Sequence, residues 1–140
     1  MAMRLPSSLP LAEDKISFLT HDSLSLVTAV KSVESKECGA VVTFSGCVRD
    51  TEKEESISAI HYDVYEPMAE LEFGKIMRES EARWPVKAYV RHRIGRVPVM
   101  EASVVVVCAA PHRKEAFEAC EYIVEQLKAN VPIWKVRYEK

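Results

Sequence analysis

Five cations, Arg49, His112, Arg113, Lys128 and Lys135, stand where their types and spacing suit the handling of a small anion. His112 and Arg113 follow Pro111 and open a predicted helix that Lys128 closes, and Pro132-Ile133-Trp134-Lys135 comes directly after. A helix N-terminus carries partial positive charge, so cations there are mildly unfavourable unless an anion sits between them and the free N–H groups. The helix start therefore reads as an anion site. A guanidinium offers a planar fork to phosphate, and an ammonium steadies an oxyanion or moves a proton. Each member has a plainer reading as a solvated surface charge, and Lys128 near a helix C-terminus also suits the helix dipole. The case rests on the set.

Helix geometry divides that set. His112 and Lys128 are sixteen residues apart, about 24 Å at the rise of an α-helix. They cannot touch one small ligand within one chain. Either there are two anion sites, or a symmetric dimer brings His112-Arg113 of one subunit toward Lys128-Lys135 of the other. The dimer is the preferred reading.

The elements that must hold these residues follow from hydrophobic period and turn residues. Lys15–Leu19 forms a short strand, and Asp22 or Ser23 caps a helix through Leu24, Val27, Val30 and Lys31 that ends by Cys38-Gly39. Ala40–Val48 is a buried strand with a bulge or close approach at Gly46, and Arg49 leaves its end. Asp50–Ser56 is acidic and lacks a hydrophobic pattern, as a mobile loop does. Ile57–Tyr65 alternates like a half-buried strand, and Pro67 begins a helix that buries Phe73, Ile76, Met77 and Ser80 and stops before Trp84-Pro85. Val86–Ile94 is a strand, Gly95–Glu101 a connection, and Ala102–Ala110, with four successive valines, a central strand buried on both faces. The helix from His112 to about Asn130 presents Ala116, Phe117, Cys120, Ile123, Val124 and Leu127 to the core, and Ile133–Tyr138 is the last strand. Strands mixed with three helices give an α+β domain.

Totals bound the function. With 140 residues, 48% of them hydrophobic, one domain over residues 15–140 can bury a real core, and no run is long enough to span a membrane. Residues 1–14 read as a flexible N-terminal arm, too short and too weakly basic for an export signal. A net charge of −2 argues against a nucleic-acid binder. Cys38, Cys47, Cys108 and Cys120 show no CxxC pair and no metal-ligand spacing, so they read as reduced, packed thiols in the cytosol, with no metal expected. Arg49 near Cys47 would favour a thiolate, but a packed structural cysteine is the preferred reading.

Five ordered segments resemble one known family. VVTFSGCVRD (Val41–Asp50), Tyr65-Glu66-Pro67-Met68-Ala69, HRIG (His92–Gly95), PHRKEAFEA (Pro111–Ala119) and LKANVPIWK (Leu127–Lys135) are similar to the large, catalytic subunits of molybdopterin synthase. The resemblance covers about Gly39 to Lys135. It implies an α/β hammerhead-type fold, a mixed or antiparallel sheet with about three helices. It also implies a homodimer within a heterotetramer, each end binding a ubiquitin-like small subunit whose C-terminal Gly-Gly thiocarboxylate enters the large subunit's pocket. The implied reaction is a sulfurtransferase reaction, giving two sulfurs to cyclic pyranopterin monophosphate to form the molybdopterin dithiolene, with no cofactor. Residue by residue, Lys128 and Lys135 match the catalytic and substrate-binding lysines, and Arg49, His112 and Arg113 match substrate-anion contacts. The resemblance puts Lys128 at the thiocarboxylate carbonyl and Lys135 at proton transfer or intermediate stabilisation, with the division between them open. Phe44 and Trp134 are expected in the core or pocket wall, and His92-Arg93 is expected to be structural.

The sequence departs from the family pattern in three places. A polar and aromatic tail commonly follows the WK motif in the family, whereas Lys140 is the last residue here; Met100 stands where glycine is frequent; Val136-Arg137 replaces a basic-acidic pair. The alternative function is a non-catalytic module that grips a ubiquitin-like tail or a small anionic metabolite. Retention of all five cations favours the enzyme.

Overall fold

A computed structural model describes residues 17–140, so the expected arm at residues 1–14 lies outside the described residues. In chain order the elements are β1 (Leu19–Thr20), α1 (Leu26–Val33), β2 (Ala40–Cys47), β3 (Thr51–Glu52), β4 (Glu55–Ser56), β5 (Ala59–Val64), α2 (Glu66–Arg83), β6 (Lys87–Arg93), β7 (Gly95–Pro98), β8 (Ala102–Ala110), α3 (Arg113–Asn130) and β9 (Ile133–Glu139). The main sheet runs β1-β6-β8-β2, a second sheet runs β7-β5-β9, and β3-β4 is a separate hairpin. All pairings are antiparallel except β1 with β6, which makes the main sheet mixed. The architecture is α+β, as expected.

Alternation along β8 organises the core. Val104, Val106 and Cys108 face α3 and α2, where they meet Ala69, Phe73, Ile76, Ala119, Cys120, Ile123 and Leu127. Val105, Val107 and Ala109 face the other way, onto Ala29 and Val33 of α1. A strand covered on both faces needs an unbroken apolar run, which is why the valines follow one another. Each large side chain so buried contributes about 1.5–3 kcal/mol. Because α3 is packed along this sheet, the ends of α3 are held at fixed places, and those ends carry His112, Arg113 and Lys128.

Several expected boundaries move. The first strand among the described residues is Leu19–Thr20, with Ser17 and Phe18 outside it; residues 15 and 16 of the expected strand lie outside the described residues. Helix α1 is capped by Ser25, whose side chain accepts a hydrogen bond from the Thr28 N–H at 3.1 Å, so neither Asp22 nor Ser23 is the cap. Strand β2 is the outer strand of its sheet and alternates between half-buried and exposed, so it is not the buried strand its composition indicates. Its bulge does fall at Gly46/Cys47, where a Cβ on Gly46 would come within 2.9 Å of Val104 Cγ1. Asp50–Ser56 is not a loop but the β3-β4 hairpin, turned by left-handed Lys53 and Glu54. Gly95–Pro98 is a strand of the second sheet rather than a connection. Phe117, expected in the core, is 61% exposed. Cys47 is exposed rather than packed.

Candidate active site

Each of the five cations is held by a different local device. Val48 is buried, its N–H bonded to the Glu101 carbonyl at 3.0 Å while its own carbonyl accepts from the Met100 N–H at 2.8 Å. This clamp between β2 and the turn before β8 leaves Arg49 exposed at the base of the β3-β4 hairpin. His112 is the N-cap of α3, with an extended backbone and no side-chain cap hydrogen bond. Gly39 permits that placement: a Cβ there would lie 2.9 Å from the Pro111 carbonyl oxygen. Arg113 follows as the first helical residue and is exposed.

The charge at this helix start is partly compensated within the chain. Glu115 sits in the first turn, 4.0 Å from His112 Nδ1, and its Oε1 is buried without a hydrogen-bond partner. The carboxylate is where the dipole favours it, and the exposed His112 and Arg113 side chains remain available beyond it.

Lys128 occupies the last turn of α3 beside a pocket of about 160 Å³ lined by His92, Leu127, Lys128, Val131 and Ile133. Lys135 lies two residues beyond Ile133 on β9, and residues i and i+2 of a strand share a face. Its register partner on β5 is Tyr62, and Ile133 pairs with Val64, so Tyr62, Val64, Ile133 and Lys135 form one patch. The two lysines therefore approach a common wall from a helix end and a strand. Glu52 of the hairpin comes within 4.0 Å of Lys135 Nζ, which brings the Arg49 hairpin to the same side.

The pocket also contains a residue expected to be structural. His92 is 7% exposed, and its Nδ1 lies 2.8 Å from the Arg93 carbonyl oxygen. Burial pushes its pKa below the usual imidazole range, the hydrogen bond to Arg93 opposes this, and the charge of Lys128 adds to the lowering. Arg93 does fit a structural role, its Nη1 donating to Glu101 at 2.6 Å across to the turn before β8. Period-2 reading of β6 marks His92 as inward-facing, but no local signal marks what it meets. Glu52 is likewise hidden in the sequence, because the hairpin that carries it has no glycine to announce its turn.

Trp134 is 46% exposed and pairs with Asp63, on the face opposite Ile133 and Lys135, so it is not a core residue. Phe44 is half-buried in a surface groove with Phe117, Cys120 and Val124. Cys108 and Cys120 are buried side by side: the neighbouring Cys120 thiol, then burial, hold the Cys108 thiol far above the usual range. His112-Arg113 and Lys128 stand at opposite ends of α3, so the chain by itself does not bring all five cations together.

Residues 19–130 match the family described as MoaE protein. The chain belongs to the MoaE family. Among relatives, the molybdopterin synthase catalytic subunit of Bacillus subtilis is 40% identical over 118 residues, spanning 84% of this chain and 75% of that one. The molybdopterin synthase catalytic subunit of Homo sapiens is 40% identical over 125 residues, spanning 89% of this chain and 66% of the relative. The crystal structure of molybdopterin synthase from Staphylococcus aureus superposes with a TM-score of 0.80 at 33% identity, covering 84% of this chain and 86% of that one. A Helicobacter pylori protein-protein complex of subunits 1 and 2 of molybdopterin-converting factor gives a TM-score of 0.72 at 26% identity, covering 86% of each chain. As a MoaE-family catalytic subunit the chain is an enzyme, a sulfurtransferase of molybdenum cofactor biosynthesis.

Proposed function

We propose that this MoaE-family chain takes sulfur from the C-terminal thiocarboxylate of a ubiquitin-like small subunit and delivers it to cyclic pyranopterin monophosphate, with Lys128 and Lys135 as the catalytic pair. The observation that carries this reading is that Lys128 lines a pocket of about 160 Å³ with Leu127, Val131 and Ile133, while Lys135 lies on the same face of β9 as Ile133. So narrow a pocket suits a tail ending in two glycines, which bring backbone and no side chains. In this reading Lys128 stabilises the charge that develops on the thiocarboxylate carbonyl, and Lys135 transfers a proton or steadies the intermediate. Arg49 supplies a fork for the substrate's phosphate from the hairpin side.

His112 and Arg113 enter through a second copy of the chain. The length of α3 separates them from Lys128, and a two-fold dimer restores a complete cation set to each pocket. With a small subunit at each end the assembly is a heterotetramer, in keeping with the two-subunit complex of the Helicobacter pylori relative. We place this assembly in the cytosol; among the described residues no helix is long and apolar enough to cross a membrane.

The test is reconstitution. The chain is mixed with a thiocarboxylated small subunit and cyclic pyranopterin monophosphate, and molybdopterin is measured. Wild type is expected to form product, and Lys128→Ala to lower the rate at least 100-fold, the order of effect of removing one oxyanion donor. Full activity in K128A removes that lysine from the mechanism. Binding of the small subunit without product turns the reading to a tail-gripping module.

A further inference from the structure

The reaction proposed above leaves His92 unused, although it lines the pocket that takes Lys128. A carbonyl oxygen only accepts, so the 2.8 Å contact with the Arg93 carbonyl places the ring hydrogen on Nδ1 and the lone pair of the neutral imidazole on Nε2. Tyr62 meets the ring edge-on, with centroids 5.4 Å apart and planes at 72°, and the His92 backbone N–H donates to the Phe18 carbonyl at 2.8 Å. Ring and strand are thus both fixed. Nε2 makes no hydrogen bond among the described residues, yet it is not among the side-chain nitrogens sealed away without a partner. Nε2 is therefore not sealed off, and His92 lines the pocket.

Lys128 needs such a partner. It sits in the last turn of α3 and is exposed, and among the described residues it has no ion pair. A free lysine side chain spreads over many rotamers, most of them pointing into solvent and away from a tail in the pocket. An acceptor on the pocket wall selects the inward ones. A histidine kept only for packing would be satisfied by the Nδ1 hydrogen bond and the Tyr62 contact, with no reason to present its other nitrogen to a cavity shared with a lysine.

We propose that His92 is a positioning residue for Lys128: its Nε2 accepts a hydrogen bond from the Lys128 ammonium, directly or through one water, and turns that ammonium inward toward the thiocarboxylate carbonyl. This role rests on the reading of Lys128 given above. It requires the imidazole to be neutral, which burial and the nearby Lys128 charge both favour.

The experiment is steady-state molybdopterin formation with the thiocarboxylated small subunit, separating kcat from the KM for that subunit. His92→Phe keeps an aromatic ring against Tyr62 and removes the lone pair. Its kcat is expected to fall about 10- to 100-fold, the effect of losing one hydrogen bond to a charged group, with KM changed less than twofold. His92→Gln, which places an amide oxygen near the Nε2 position, is expected to recover most of the rate. H92F with wild-type kcat overturns the proposal. Should H92F lose its cooperative thermal transition, His92→Gln against His92→Leu decides: Gln active and Leu impaired supports the role, and equal loss in both overturns it. A wild-type chain that forms no molybdopterin overturns the underlying reading as well, whereas an active wild type with an unimpaired H92F overturns only the role of His92.

Discussion

Glu139 ties the end of β9 into the second sheet. Arg96 forks onto its carboxylate at 3.0–3.2 Å and His61 Nε2 lies 2.7 Å away, and the Arg96 contact, then His61, hold the Glu139 pKa down at about 2. A carboxylate with a folded-state pKa below its unfolded value stabilises the fold above the unfolded pKa, and that contribution is lost as pH falls through the folded one. With an ordinary value of 4.5, the window runs from about pH 5 down to about pH 2. The Tm difference between wild type and Glu139→Gln is therefore expected at pH 7 and should close across that window; a difference that persists unchanged to pH 2 would show the ion pairs to be irrelevant. Because β9 also carries Lys135, E139Q should loosen that lysine as well. At this scale the placement of the five cations was legible from type and spacing alone, since a helix start, a helix end and a strand end follow from local pattern. The neighbours of those cations were not: His92 shares a pocket with Lys128, and Glu52 comes within 4.0 Å of Lys135, only because distant segments pack together.

The elements show where local pattern suffices and where tertiary context overrides it. Helix α2 begins with proline in its first turn and ends before Trp84-Pro85 as its punctuation dictates, and β8 is central because nothing but a doubly covered strand tolerates four buried valines. The β3-β4 hairpin has no such announcement, because Lys53 and Glu54 adopt the left-handed conformation usually given to Asn-Gly. The turn before β8 is similar: Met100 has φ of 78°, its side chain is 85% exposed, and its N–H donates to the Val48 carbonyl. A methionine there contributes little packing and bears the cost of left-handed backbone. Met100→Gly is expected to stabilise the protein by about 0.5–1 kcal/mol, less whatever entropy glycine adds to the unfolded chain. Chemical denaturation reads this as a higher midpoint with an unchanged m-value, and a lower midpoint would mean that the methionine side chain has a partner. This turn is worth testing because Val48, and through it Arg49, hangs from it.

At the scale of the whole molecule, α3 is a rigid spacer between two groups of cations. Its 18 residues put His112 and Arg113 at one end and Lys128 at the other, while packing on β8, β2 and α2 prevents it from bending them together. This division was visible in the sequence, because helix length follows from residue count once caps and period are placed. What the sequence could not show is the surface a second copy would meet. Phe117 lies one turn beyond Arg113 and is exposed, next to the half-buried Phe44 of β2, whose outer edge has no strand partner among the described residues. A shared site makes a specific prediction. Arg113→Ala and Lys128→Ala are each expected to be nearly inactive alone, since each removes one half-site from both pockets. When the two variants exchange subunits at random, half of the dimers are mixed, and each mixed dimer has one intact pocket and one doubly defective pocket. The mixture should therefore recover about a quarter of wild-type activity. If each chain instead carried its own complete site, every pocket in the mixture would still lack one cation, and exchange would restore nothing.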